Sequence, residues 1–207
     1  MDSPSQTASM KLTMGAAFIA LVNSLFAYLV MAMGLDWVHS ENALLENLQV
    51  SILAISGIVY LWLGGKAGAT EKFLHLALAL LSFSFISREL DMERLPVPAF
   101  VQLVGSGAGR NLLLTVLWTW LLVTLFKKVA DKRQFIADYL LTPGCLLLAF
   151  AFSLLIFSAL IDRQLIPLKE ARLFEELAET NAYILVLLPA LSRFRQISRS
   201  RLVSQPG

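Results

Sequence analysis

Apolar stretches about as long as a bilayer is thick recur along this chain, and no other feature restricts its fold so strongly. Taking about 20 residues per crossing, the runs place helices at 12–34, 45–65, 73–92, 107–126, 140–161 and 174–193. The expected fold is therefore all-α, a six-helix membrane bundle in a single domain over 12–193. A polar N-terminal segment, 1–11, precedes it and a basic tail, 194–207, follows. Charged residues make up only 15% of the chain and hydrophobic ones 57%. A soluble domain of this composition would need several buried helices with almost no polar face, which the pattern excludes. The net charge of +2 gives no basic surface for nucleic acid, and the lone Cys145 allows no internal disulfide.

The connections set the expected orientation. Six crossings put both termini on one side, and eleven of the seventeen Lys and Arg residues then share that side, among them Lys66, Lys127, Lys128, Arg193 and Arg195. The positive-inside rule makes that side cytoplasmic, as in a multi-pass protein of the cell inner membrane. Eleven of the fifteen acidic residues fall on the opposite, outer side. The outer face is thus the chemically unusual one.

How deep those acids sit is the central question. The uninterrupted apolar run of the last span, "AYILVLLPAL", has only about half the length the hydrocarbon requires. Counting back from Arg193 puts Glu175, Glu176 and Glu179 in the first turns at the outer boundary, Glu179 deepest. The same counting brings Glu46 and Gln49 to that level on the second span, and Arg88, Glu89 and Asp91 on the third. Arg110, at the start of a short fourth span, is drawn toward it. Charges facing lipid are costly, so these faces are expected to turn toward one another. Glu46, Glu89, Asp91, Glu175 and Glu179 are the candidate acid, base or ion-binding groups, and Arg88, Arg110 and Gln49 the candidate substrate contacts. Glu176 is read only as an acid complementing a helix N-terminus, and Asn181 points away from the group. His39 and His75 fall on opposite sides and cannot share a metal.

"GSGAGR" at 105–110 lacks the strand and the Lys-Ser/Thr of a phosphate loop and reads as a turn or a tight helix start. The apolar segment 95–106 is too short to cross and is expected in the interface or part-way into the membrane.

The stretch "DWVHSENALLENLQ" (36–49), with Glu41-Asn42 and Glu46-Asn47 opening a span, resembles the first conserved helix of alkaline ceramidase-like membrane hydrolases. That resemblance implies a lipid amidase with a histidine-bound zinc and a nearby calcium. This chain departs from the pattern at the zinc. Arg88 stands four residues after Ser84 where the family has histidine, and Glu175 and Glu179 occupy the late histidine pair. An oxygen-only set, Glu46, Asp91, Glu175 and Glu179, suits Ca²⁺, Mg²⁺ or Mn²⁺ instead. "SRELD" and "FEELAE" are also similar to segments of small bacterial inner-membrane proteins. The leading expectation is metal-assisted modification or hydrolysis of a membrane lipid or lipid-linked substrate at the outer face. Ion- or proton-coupled transport is weakened because no polar path is visible toward the inner side. A non-catalytic assembly or scaffold protein held by ion pairs is the third reading.

Overall fold

The computed structural model describes residues 19–35, 38, 44–90, 96–129, 134, 137, 139–140 and 142–203. Within them lie seven helices and no strand: α1 (Ile19–Met31), α2 (Leu44–Lys66), α3 (Ala69–Glu89), α4 (Ala99–Gly105), α5 (Gly107–Lys128), α6 (Pro143–Asp162) and α7 (Ala171–Val203). Three of these, α2, α5 and α6, are long and apolar enough to cross a membrane. The expected first span, 12–34, is described only from residue 19 on. The expected tail differs more: α7 continues unbroken through Arg193 to Val203. "SRFRQISRSRLV" contains neither Gly nor Pro and is rich in Arg and Gln, which favour helix.

Two short links fold the chain into hairpins. Ala67 and Gly68 join α2 to α3, and 163–170 join α6 to α7, so each pair packs antiparallel. At the start of α6, Thr142 Oγ1 accepts from the Cys145 amide at 3.2 Å, and Pro143 occupies the first turn, where its missing N–H costs nothing. The hairpins meet where α7 lies on α2. Tyr60 and Leu63 of α2, Ala79 of α3, Ala151 of α6, and Ala182 and Ala190 of α7 form the main buried cluster. The alanines let backbones approach closely, the usual basis of helix association in lipid. Among the described helices α5 packs mainly against α3 and α4 and leaves Leu112, Val116, Trp120 and Phe126 exposed, a surface suited to lipid.

Pro189 sits inside α7 and removes the N–H that would serve the Leu185 carbonyl. Its neighbours brace that region. Gly144 of α6 faces the proline ring, and the Tyr60 hydroxyl donates to the Val186 carbonyl at 2.8 Å.

The segment expected at the interface contains α4, whose Phe100 and Leu103 are exposed. It turns into α5 at Ser106, with Gly107 at φ 48° in the left-handed region. "GSGAGR" is thus a junction of two helices. Gly109 lies so close to α4 that a Cβ there would overlap the Leu103 carbonyl, a backbone atom that cannot swing away. Gly109→Ala is expected to cost about 1–3 kcal/mol through this overlap. Thermal unfolding in detergent checks it, with Gly65→Ala as the control, since nothing lies within 4 Å of a Cβ at Gly65.

Candidate functional site

The antiparallel hairpins bring the start of α2, the end of α3, the end of α6 and the start of α7 to one end of the bundle. There they enclose a pocket of about 500 Å³ lined by Glu46, Arg88, Glu89, Asp162, Arg172, Glu175, Glu176 and Glu179, with Ser158 at its floor. Six carboxylates thus face two guanidiniums. Each helix contributes through its amphipathic last or first turns, where ionisable residues interrupt an otherwise apolar run.

Arg88 organises one side. Its guanidinium contacts Glu89 Oε1 through Nη2 at 2.7 Å and Nε at 3.0 Å, and pairs with Glu179 Oε1 at 2.5 Å. It also donates to the Tyr183 hydroxyl at 3.1 Å, and that hydroxyl donates in turn to Glu89 Oε1 at 2.8 Å. Ser158 Oγ donates to Glu179 Oε1 at 2.8 Å, which ties α6 into the network. The Glu89 and Glu179 side chains are 9% and 8% exposed, so each carboxylate depends on these donors in place of water.

Gln49 organises the other side. It is fully buried, and its amide Nε2 donates to Glu176 Oε2 at 2.8 Å, to the Glu176 carbonyl at 3.1 Å and to Thr180 Oγ1 at 3.2 Å. Its own oxygen, Oε1, has no hydrogen-bond partner among the described residues. At the rim, Arg172 meets Glu46 at 3.4 Å. Glu175, half-buried, lines the pocket and accepts no hydrogen bond from the described residues. With the exposed Asp162, it is one of two pocket carboxylates open to an incoming group.

Of the residues singled out by sequence, Glu46, Arg88, Glu89, Glu175 and Glu179 line this pocket, and Gln49 stands behind Glu176. Asp91 lies outside the described residues, as do His39 and Trp37. Arg110 is placed elsewhere. Its Nη1 donates to the Ser87 carbonyl at 2.8 Å, so it closes the last turn of α3, where carbonyls lack helical donors, and does not reach the pocket. Glu176 is more than a helix-end acid: it is 6% exposed and held by Gln49.

Of the proposed cation set, Glu46, Glu175 and Glu179 are among the described residues and Asp91 is not. Among the described residues no three His, Cys, Asp or Glu side chains are arranged to hold a metal ion. The physical reason is that Glu179 and Glu89 turn onto Arg88, Glu176 onto Gln49 and Glu46 onto Arg172, so the oxygens point at donors in place of a common centre.

Sequence reasoning missed Tyr183, Ser158, Thr180 and Arg172. Tyr183 and Thr180 were within reach of it, since they stand four residues after Glu179 and Glu176 on the same helical faces. Ser158 gives no such signal. Deeper in the bundle Ser56 and Ser82 are buried, but each donates to a carbonyl of its own helix, Ile52 and Leu78, and Tyr60 donates across to the Val186 carbonyl of α7. These hydroxyls end on main-chain oxygens and do not join into a chain leading away from the pocket. Asn181, outside the group as expected, exchanges amide hydrogen bonds of 3.2 Å with Asn23 of α1. No family model, no curated protein and no solved structure matches this chain.

Proposed function

We propose that this is a six-span protein of the cell inner membrane, with both termini cytoplasmic, whose outward pocket binds and modifies a lipid or lipid-linked substrate. α1, α3 and α7 would supply the spans beyond α2, α5 and α6. The charge asymmetry of the connections supports the orientation. The observation that carries the functional reading is the pocket itself: about 500 Å³, at the level where helix ends meet headgroups, with Glu175 lining it and accepting no hydrogen bond from the described residues. A carboxylate so placed can take a proton from an attacking hydroxyl or water and return it to a leaving group. Arg172 at the rim offers a guanidinium to an anionic headgroup oxygen. The described carboxylates do not fit a shared divalent cation, so no step is assigned to one.

Purified protein is expected to convert a lipid in vesicles made from a bacterial polar extract, read by mass spectrometry of the lipids over time. Glu175→Gln should lower that rate by about 100-fold or more, the scale of general acid–base catalysis, while leaving thermal unfolding unchanged. Equal rates in the two proteins would overturn the assignment. A non-catalytic assembly role is favoured by one specific observation, the Arg88–Glu179 ion pair that joins α3 to α7 and fixes helix order. It predicts no turnover in either protein.

A further inference from the structure

The end of the bundle opposite the pocket carries a second charged surface, which the catalytic reading does not use. Lys66 closes α2, Lys72 stands in the first turns of α3, Lys127 and Lys128 close α5, and Arg193 and Arg195 lie on α7. All six are exposed. Among the described residues only one acid, Glu71, lies with them, and it is held by Arg193 Nη2 at 3.1 and 3.2 Å. The other five cations have no ion pair among the described residues.

Helix-dipole compensation accounts for Lys66, Lys127 and Lys128 one at a time, since each sits at a helix C-terminus. It does not account for α7. At 1.5 Å per residue its 33 residues span roughly 50 Å against a hydrocarbon core of about 30 Å. With Glu175 at one boundary and Arg193 near the other, α7 must run on past the hydrocarbon as a rigid basic helix. Packing directs it. Phe194 meets Trp62 at 4.8 Å between ring centroids, and Ile197 packs against the cluster around Tyr60 and Leu63, so the apolar side of the extension is pinned to the end of α2. The sequence continues with Arg199 and Arg201.

We infer that these cations form a collar that binds the phosphodiester headgroups of anionic phospholipids in the inner leaflet. The inference rests on the membrane-spanning reading but is independent of any activity in the pocket. An anionic lipid surface is the fitting partner because the cations come from four separate helices, α2, α3, α5 and α7, at one end of the bundle. A single deep phosphate site would gather them at one point. Basic residues within a Debye length of such a surface act nearly independently and are sensitive to salt.

The test uses the full chain in nanodiscs or detergent, with retained lipids counted by native mass spectrometry. Mixtures of phosphatidylglycerol or cardiolipin with phosphatidylcholine provide the competing headgroups. The expected result is preferential retention of the anionic lipid, lost at about 0.5 M salt. Lys127→Gln, Lys128→Gln, Arg195→Gln together should reduce the preference by tenfold or more, on the scale of about fivefold per cation removed. All three side chains are exposed, so the variant should fold, and an unchanged circular dichroism spectrum verifies it. Glu175→Gln, at the opposite end, should leave the preference intact. Equal retention of neutral and anionic lipid, or a preference untouched by the triple variant, would overturn the inference. Equal displacement of bound lipid by millimolar inorganic phosphate would assign the collar to free phosphate, and tighter binding of a single-stranded RNA oligomer than of lipid would assign it to nucleic acid. Either outcome also rejects it.

Discussion

Arg88→Met destabilises the bundle by about 3 kcal/mol, the largest loss expected from any single pocket substitution. The guanidinium is the only cation touching both Glu89 and Glu179 among the described residues, and both carboxylates are more than nine-tenths buried. Without it, two largely buried anions repel each other with little water to screen them. The figure sits at the lower end for a buried ion pair because the Arg88 side chain is itself 48% exposed and partly screened. Thermal or chemical unfolding in a mild detergent measures the loss. Adding Glu179→Gln should recover part of it, since the second substitution removes one of the stranded charges. A double variant as unstable as the two losses added together would show that Arg88 and Glu179 do not act as a pair. Arg195→Met, at the other end of α7, should stay within about 0.5 kcal/mol of the parent.

Gln49→Leu is expected to cost about 1–3 kcal/mol, by a different route. The leucine fills similar volume, so packing changes little. Glu176 Oε2 and Thr180 Oγ1, however, lose the buried donor that holds them. Glu176→Leu removes the acceptor and leaves the Gln49 amide short of its best partner. With both replaced, neither member of the pair is stranded and the unpartnered Gln49 Oε1 is gone as well. The double variant should therefore be more stable than the sum of the single losses predicts. A double-mutant cycle on unfolding free energies gives this coupling directly, and a coupling near zero would mean that Gln49 contributes through shape alone.

The helical class and the level of the carboxylates were both legible in the sequence, because hydropathy and the 1.5 Å rise act along one dimension. Counting back from Arg193 was enough to bring Glu175, Glu179, Glu46 and Arg88 to a common depth. The same arithmetic says nothing about which way a side chain turns. Arg110 shared the depth but is turned onto the Ser87 carbonyl, and Glu176, set aside as a helix-end acid, is turned inward onto Gln49. Carboxylates at one level read as a ligand set in a sequence, whereas in the fold the described ones are met by donors, Ser158, Tyr183 and Gln49, residue types with unremarkable spacing. α7 runs on past Arg193, since charge marks where the hydrocarbon stops but does not stop a helix.

The bracing of Pro189 bears on the order in which this protein can be assembled. α7 is synthesised after α2, α3 and α6, yet it supplies Glu175, Glu176 and Glu179 to the pocket and Ala182, Val186 and Ala190 to the main core. Around its proline, the neighbouring contacts come from Tyr60, which donates to the Val186 carbonyl, and Gly144, which faces the ring, both on helices already made. On the six-span reading proposed above, α7 would bring three glutamates and an interrupted hydrogen-bond ladder into the membrane, and its insertion is expected to depend on docking against α2 and α6. Until α7 docks, the earlier helices hold Arg88 without Glu179 and Gln49 without Glu176.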